Sequence, residues 1–124
     1  MLRRTIPLLL IAFPGTSWAT EVAIAPFLAK PGVDQKVANN ITSLVSSEFD
    51  FSSEYEGATQ LDAVPAALTL ACVGQATCLG GVAKASGKDH FVAGTVGLSG
   101  SNYELVMVLV DGHSGAVIHK KTYK

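Results

Sequence analysis

Charge is scarce in this sequence, and so are cysteine and tryptophan. Of 124 residues, 15% are charged, two are cysteine and one is tryptophan. The acidic and basic side chains are scattered rather than blocked, so no basic footprint of the kind a nucleic-acid surface needs is present. Cys72 and Cys78 lack the two-residue separation of a thioredoxin-like pair, which argues against catalytic redox exchange. Beyond residue 19 no apolar run approaches the roughly 18 residues of a spanning helix. Signatures of catalysis are missing too. Ser86, Ser99, Ser101 and Ser114 sit outside any Gly-x-Ser-x-Gly elbow and have ordinary helix-end or turn settings. Gly80-Gly81 precedes no phosphate-binding lysine and serine pair, and Gly94 and Gly97 interrupt a strand rather than open a helix. Close packing or a bulge is the expected use of those two glycines. His90, His113 and His119 form no local metal-ligand pattern. The chain reads as non-enzymatic, with no cofactor or metal residues to assign.

What is present starts with the first nineteen residues. Arg3 and Arg4 precede an apolar run from Ile6 to Phe13, and Ser17 and Ala19 offer the small-residue spacing of a signal-peptidase site. Cleavage is expected before Thr20, leaving 105 residues with seven basic and ten acidic side chains. That length suits a single domain over residues 20–124 with a modest core. Export favours a structural disulfide between Cys72 and Cys78 over separate buried thiols.

Along the mature chain, Glu21 to Phe27 predicts a strand closed by Pro31-Gly32. Val33, Val37, Ile41, Leu44, Val45 and Phe49 then mark one side of a helix from about Gly32 to Phe49, with Asp34 near its positive end. A strand is expected over Phe51–Thr59. Leu61–Ala71 reads as a helix capped by Asp62 with Pro65 in its first turns, and Ala76–Ala85 as another, with Thr77 as a candidate early cap and Gly87 as terminator. Asn40-Ile41-Thr42 matches a glycosylation sequon, but on a helix rather than an accessible loop. The last third is an antiparallel meander of Phe91–Leu98, Tyr103–Val110 and Ala116–Tyr123, joined by Gly-containing turns. The middle strand is apolar on both faces and belongs inside the sheet. The last strand carries lysines and belongs at an edge. The fold class is therefore α/β with α+β character: about five strands in a mixed sheet, packed by two or three helices.

This order of elements resembles the small α/β domain at the amino end of the TolB family, and the related domain of curli-secretion and flagellar-accessory envelope proteins. The resemblance rests on Val22-Ala-Ile-Ala-Pro-Phe27, the Val33–Phe49 helix, Cys72 to Leu79 and the short Leu79–Gly87 helix. It continues through Phe91 to Leu98, Tyr103 to Asp111 and Ser114-Gly-Ala-Val117. It implies an exported protein of the bacterial periplasm that acts by contacts in the envelope, and it carries over no catalytic residues. With neither a propeller nor pore-forming insertions in the sequence, the activities of the larger proteins are not expected here.

The expected partner is another envelope protein or a second copy. The candidate contact is the edge formed by Val117, His119, Lys120, Lys121 and Tyr123, where Val117, His119, Lys121 and Tyr123 alternate with Lys120 and its neighbours. With the two lysines on opposite faces, a solvated edge competes with contact to an acidic partner or anionic headgroup. Small-ligand binding, in a pocket between a helix and the Phe91–Leu98 strand, is the alternative function.

Overall fold

A proline decides how the sheet begins. The computed structural model describes residues 20–124, and the signal-peptide reading of residues 1–19 lies outside them. β1 (Glu21–Ile24) is parallel to β4 (His90–Ser99), with Val22 opposite His90 and Ile24 opposite Val92. Pro26 has no amide proton for the ladder. The chain rejoins β4 as β2 (Leu28–Ala29), with Leu28 opposite Thr95, one residue out of the earlier register. The strand predicted over Glu21–Phe27 thus ends at Ile24, and a second short piece follows the jog at Leu28–Ala29.

Asp34 caps α1 (Gln35–Phe51), its carboxylate accepting from the Lys36 amide at 2.9 Å. Ala38, Thr42 and Ser46 form the buried stripe of this helix. Thr42 Oγ1 donates to the Ala38 carbonyl and accepts from the Phe27 amide, both at 2.8 Å. The hydroxyl thereby satisfies a backbone donor that the jog removes from the ladder. Thr42 is fully buried, and Asn40 of the sequon is exposed but held on the helix. Phe51, expected to open a strand, instead ends the helix and is 87% exposed. The strand that follows is confined to β3 (Gly57–Gln60), parallel to β1.

The helix predicted over Leu61–Ala71 is mostly replaced by turns. A residue before proline is driven out of the helical region, so Val64 stops a helix begun at Asp62. The Leu68 amide donates to the Pro65 carbonyl at 2.9 Å, and α2 covers only Leu70–Val73. Thr69, rather than Asp62, is its cap and accepts from the Cys72 amide at 3.2 Å. α3 (Ala76–Ser86) starts after Gln75, which places Thr77 inside the first turn instead of at the cap. Gly87 ends it with φ 73°, a left-handed conformation suited to glycine.

A disulfide joins Cys72 on α2 to Cys78 on α3, with Cα atoms 5.3 Å apart. It closes a short loop, so its constraint on the unfolded chain is near the low end for disulfides. Replacing both cysteines with alanine is expected to lower stability by about 2 kcal/mol, read from urea midpoints. A midpoint unchanged by the double substitution would show that the helices hold their hand-over without the bond.

β5 (Asn102–Asp111) and β6 (Val117–Tyr123) complete a six-stranded mixed sheet of order β3-β1-β4-β5-β6, with β2 beside β4. The antiparallel meander and the inner position of the middle strand are as predicted. α1 covers one face, over Val22, Ile24, Phe27, Val92 and Val96. α2 and α3 cover the other, over Ala23, Phe91, Ala93, Val108 and Val110. The α/β class with helices on a mixed sheet is the architecture observed.

Candidate functional site

β6 pairs only with β5, so its outer backbone edge is free, and all seven of its residues are exposed. His119, Lys121 and Tyr123 lie opposite Leu109, Met107 and Leu105, which places them on the α1 face. Val117 does not join them. The pairing slips between Leu109 and Val110, so Val117 meets Val110 and turns to the α3 face. There it lines a shallow cleft with Lys120, Val73 and Leu79. A bulge inserts one residue and flips the alternation beyond it, which strict period-2 reading of the sequence cannot register. The five edge residues thus divide three to one face and two to the other.

α1 packs against β2, β3 and β4 and leaves the β5–β6 half of its face largely uncovered. Leu105, Met107 and Leu109 are only partly buried there. Two clefts of about 250 and 330 Å³ flank Phe49, bordered by Lys121 and His119 in one and by Glu48 and Tyr123 in the other. The Lys121 ammonium stands 5.5 Å from the centre of the Tyr123 ring. Among the described residues neither Lys120 nor Lys121 has a salt-bridge partner, whereas Lys124 pairs with Glu104 at 3.6 Å. Chemically the edge offers unpaired backbone groups, two free ammonium groups and a flanking apolar row. These are the parts a strand-adding partner uses.

The histidines separate into three roles. His119 is part of the exposed edge. His90 Nδ1 lies 2.7 Å from the Tyr55 hydroxyl, a contact across 35 residues that nothing local in the sequence signals. Burial raises the Tyr55 pKa, with the nearby Glu54 charge adding to it. His113, in the turn after β5, bonds Asp89 at 2.8 Å. Asp89 is held below the usual carboxylate range first by the Glu21 amide and then by the His113 ring, while its bond to Asp89 raises His113. Asp111 is lowered by the Ser114 and His113 amides that it accepts.

The sign of this linkage is definite. A raised histidine stabilises the fold below its unfolded pKa and loses that contribution as pH rises through the folded one. A lowered aspartate contributes above its unfolded pKa and loses it as pH falls through the folded one. Both act together from about pH 4 to 6.5. Relative to His113→Ala, the native protein is expected to have a higher urea midpoint at about pH 5 than at about pH 8. The pair is exposed, so the difference is small. Equal midpoint differences at the two pH values would remove the pair from the account.

A further cleft of about 590 Å³ lies between α3, the Leu61–Ala67 segment and the start of β4. Its lining is mainly Ala, Gly, Pro, Val and Leu, with Phe91 and Ala23 at the sheet. Two polar groups around it are already engaged: Ser86 Oγ donates to the Ala83 carbonyl, and Lys88 pairs with Glu21 at 3.3 Å. Among the described residues no group of three metal-ligating side chains converges, and no helix is long and apolar enough to cross a membrane.

No known family profile matches the chain, and no curated protein matches it. Solved structures do share its fold. TolB from Acinetobacter baumannii aligns with TM-score 0.54 at 18% identity, over 86% of this chain and 23% of that one. A PelC dodecamer from Paraburkholderia phytofirmans aligns with TM-score 0.57 at 12% identity, over 84% of this chain and 69% of that one. The lipoprotein GNA1162 from Neisseria meningitidis gives 0.54 at 17%, over 84% and 78%. The protein thus has the TolB amino-terminal-like α/β fold, a likeness of architecture at these identities, and it spans less than a quarter of the TolB chain.

Proposed function

We propose that the protein is an exported, non-enzymatic interaction module of the bacterial envelope, which docks a partner along the free edge of β6. The observation that carries this reading is the edge itself. It is seven residues long, exposed on both faces and flanked by an incompletely covered apolar row. An open strand of that length is a template for another strand unless something occupies or blunts it. Its lysines discourage indiscriminate pairing while selecting a partner of opposite charge. The signal-like first nineteen residues and the fold shared with a lipoprotein and with TolB support an envelope location. That PelC, with the same fold, is a dodecamer supports assembly as a use of this architecture.

The reading is tested with photo-cross-linking residues placed singly at Ile118 and Thr122 in β6, and at the exposed Lys84 of α3 as a control. Irradiation in the native cells is expected to give discrete protein adducts from β6 and none from α3. Adducts absent from both β6 positions, with the protein folded and exported, would overturn the docking edge. A second reading, small-ligand binding, has the 590 Å³ cleft under α3 in its favour. A ligand that raises the melting temperature of the native protein, but not that of Gly81→Trp in the cleft wall, would move the function there.

A further inference from the structure

Resting on the reading of β6 as a docking edge, we propose that its partner is the opposite edge of the same sheet in a second copy. β6 of one copy lies beside β3 of the next, head to tail. Three features of the fold lead to this pairing.

The first is direction. β3 and β1 are parallel, β1 and β4 are parallel, and β6 returns to the direction of β4 after the antiparallel β5. The two free edges therefore run the same way, and a sheet continued from copy to copy keeps every α1 on one face.

The second is charge. β6 carries His119, Lys120 and Lys121. From the end of α1 to the start of β3 stand Asp50, Glu54 and Glu56, all exposed and, among the described residues, without salt-bridge partners. A two-fold β6–β6 seam would set the lysines of one copy against those of the other, and a β3–β3 seam would leave both acidic segments without a cationic partner. Like charges directly opposite destabilise strand pairs, and opposite charges support them. The head-to-tail seam is the arrangement in which both edges meet their complement.

The third is cover. α1 sits on the β3 side of its own sheet and leaves the β5–β6 side open. In the continued sheet the next copy's α1 stands alongside that open half, where Leu105, Met107 and Tyr123 border the clefts beside Phe49. A contact of this kind is heterologous, so it propagates into a ring or a filament rather than stopping at two.

Charge exchange tests the seam. The native exported protein is expected to show a weight-average mass that rises past the dimer with concentration at low salt in sedimentation velocity, and falls when salt is added. Lys120→Glu with Lys121→Glu, and separately Glu54→Lys with Glu56→Lys, are each expected to weaken self-association by at least about 100-fold. Mixing the two variants, or combining all four substitutions in one chain, restores it. Restoration also shows that the variants are folded, and circular dichroism of each checks this independently. Three results overturn the proposal: a monomeric native protein at every concentration, association that survives either pair of reversals, or reversals that the mixture does not rescue. If the native protein is monomeric while β6 cross-links a different protein, copy-to-copy pairing fails and the docking edge stands. If β6 also cross-links nothing, both fail.

Discussion

Gly112→Ala is expected to cost the protein about 3 kcal/mol or more, a large fraction of the stability of a domain this size. A Cβ at this position would fall inside the Lys88 carbonyl oxygen and within 3.2 Å of the Asp89 carbonyl oxygen. Both obstacles are backbone, so no side chain can rotate aside. The Gly112 amide also donates to the Asp89 carbonyl at 2.7 Å, which presses the turn after β5 against the entry to β4. Relieving the clash therefore breaks a hydrogen bond at the mouth of the meander. Gly81→Ala is the control of opposite sign. A Cβ there meets nothing within 4 Å, and Gly81 lies inside α3, so a gain of about 0.5–1 kcal/mol is expected. Urea midpoints of the two variants check both signs, and a Gly112→Ala midpoint equal to the native one would show that the turn can yield.

The second large effect lies in the core beneath α1. A Cβ on Gly94 would run into the ring of Phe27 and stand 2.5 Å from the Val106 carbonyl oxygen on the neighbouring strand. Phe27 is completely buried. Gly94→Ala is expected to lose about 2–3 kcal/mol through overpacking, and Phe27→Leu about 1 kcal/mol or more through a cavity. The double variant should be more stable than the sum of the two losses predicts, because leucine withdraws the ring atoms that alanine strikes. It should still fall short of the native protein, since the Val106 carbonyl remains. A double-mutant cycle reads the coupling directly, and strict additivity would mean that the ring is not the obstacle.

Several of these elements are legible in the sequence because their signals are local and redundant. α1 announces itself by a cap at Asp34 and apolar residues recurring on one side, and the meander by glycine turns between apolar runs. The edge position of β6 follows from its lysines. What escaped was set by partners distant in sequence. The jog at Pro26 depends on the Thr42 hydroxyl, fifteen residues beyond the Phe27 amide that it accepts. The turns at 62–69 show a proline's effect on its predecessor outweighing good helix formers at Ala66 and Ala67. In the candidate site, the residues of the edge are readable but not their division between faces, because the bulge opposite Leu109 and Val110 changes Val117 without changing any sequence pattern. The acidic side of the molecule is split between the end of α1 and the link to β3, so it becomes one surface only when β3 takes its place at the far edge.

β1 occupies an inner position between β3 and β4, yet both of its neighbours come later in the chain. Synthesis runs from the amino end, so Val22, Ala23 and Ile24 exist as an apolar strand well before the residues that will flank them. β4, β5 and β6, by contrast, are consecutive and can pair as soon as each is made. A chain with this topology carries its first strand unpaired until β3 is made and paired on one side only until β4 follows, so the fold closes around the oldest segment rather than growing outward from it.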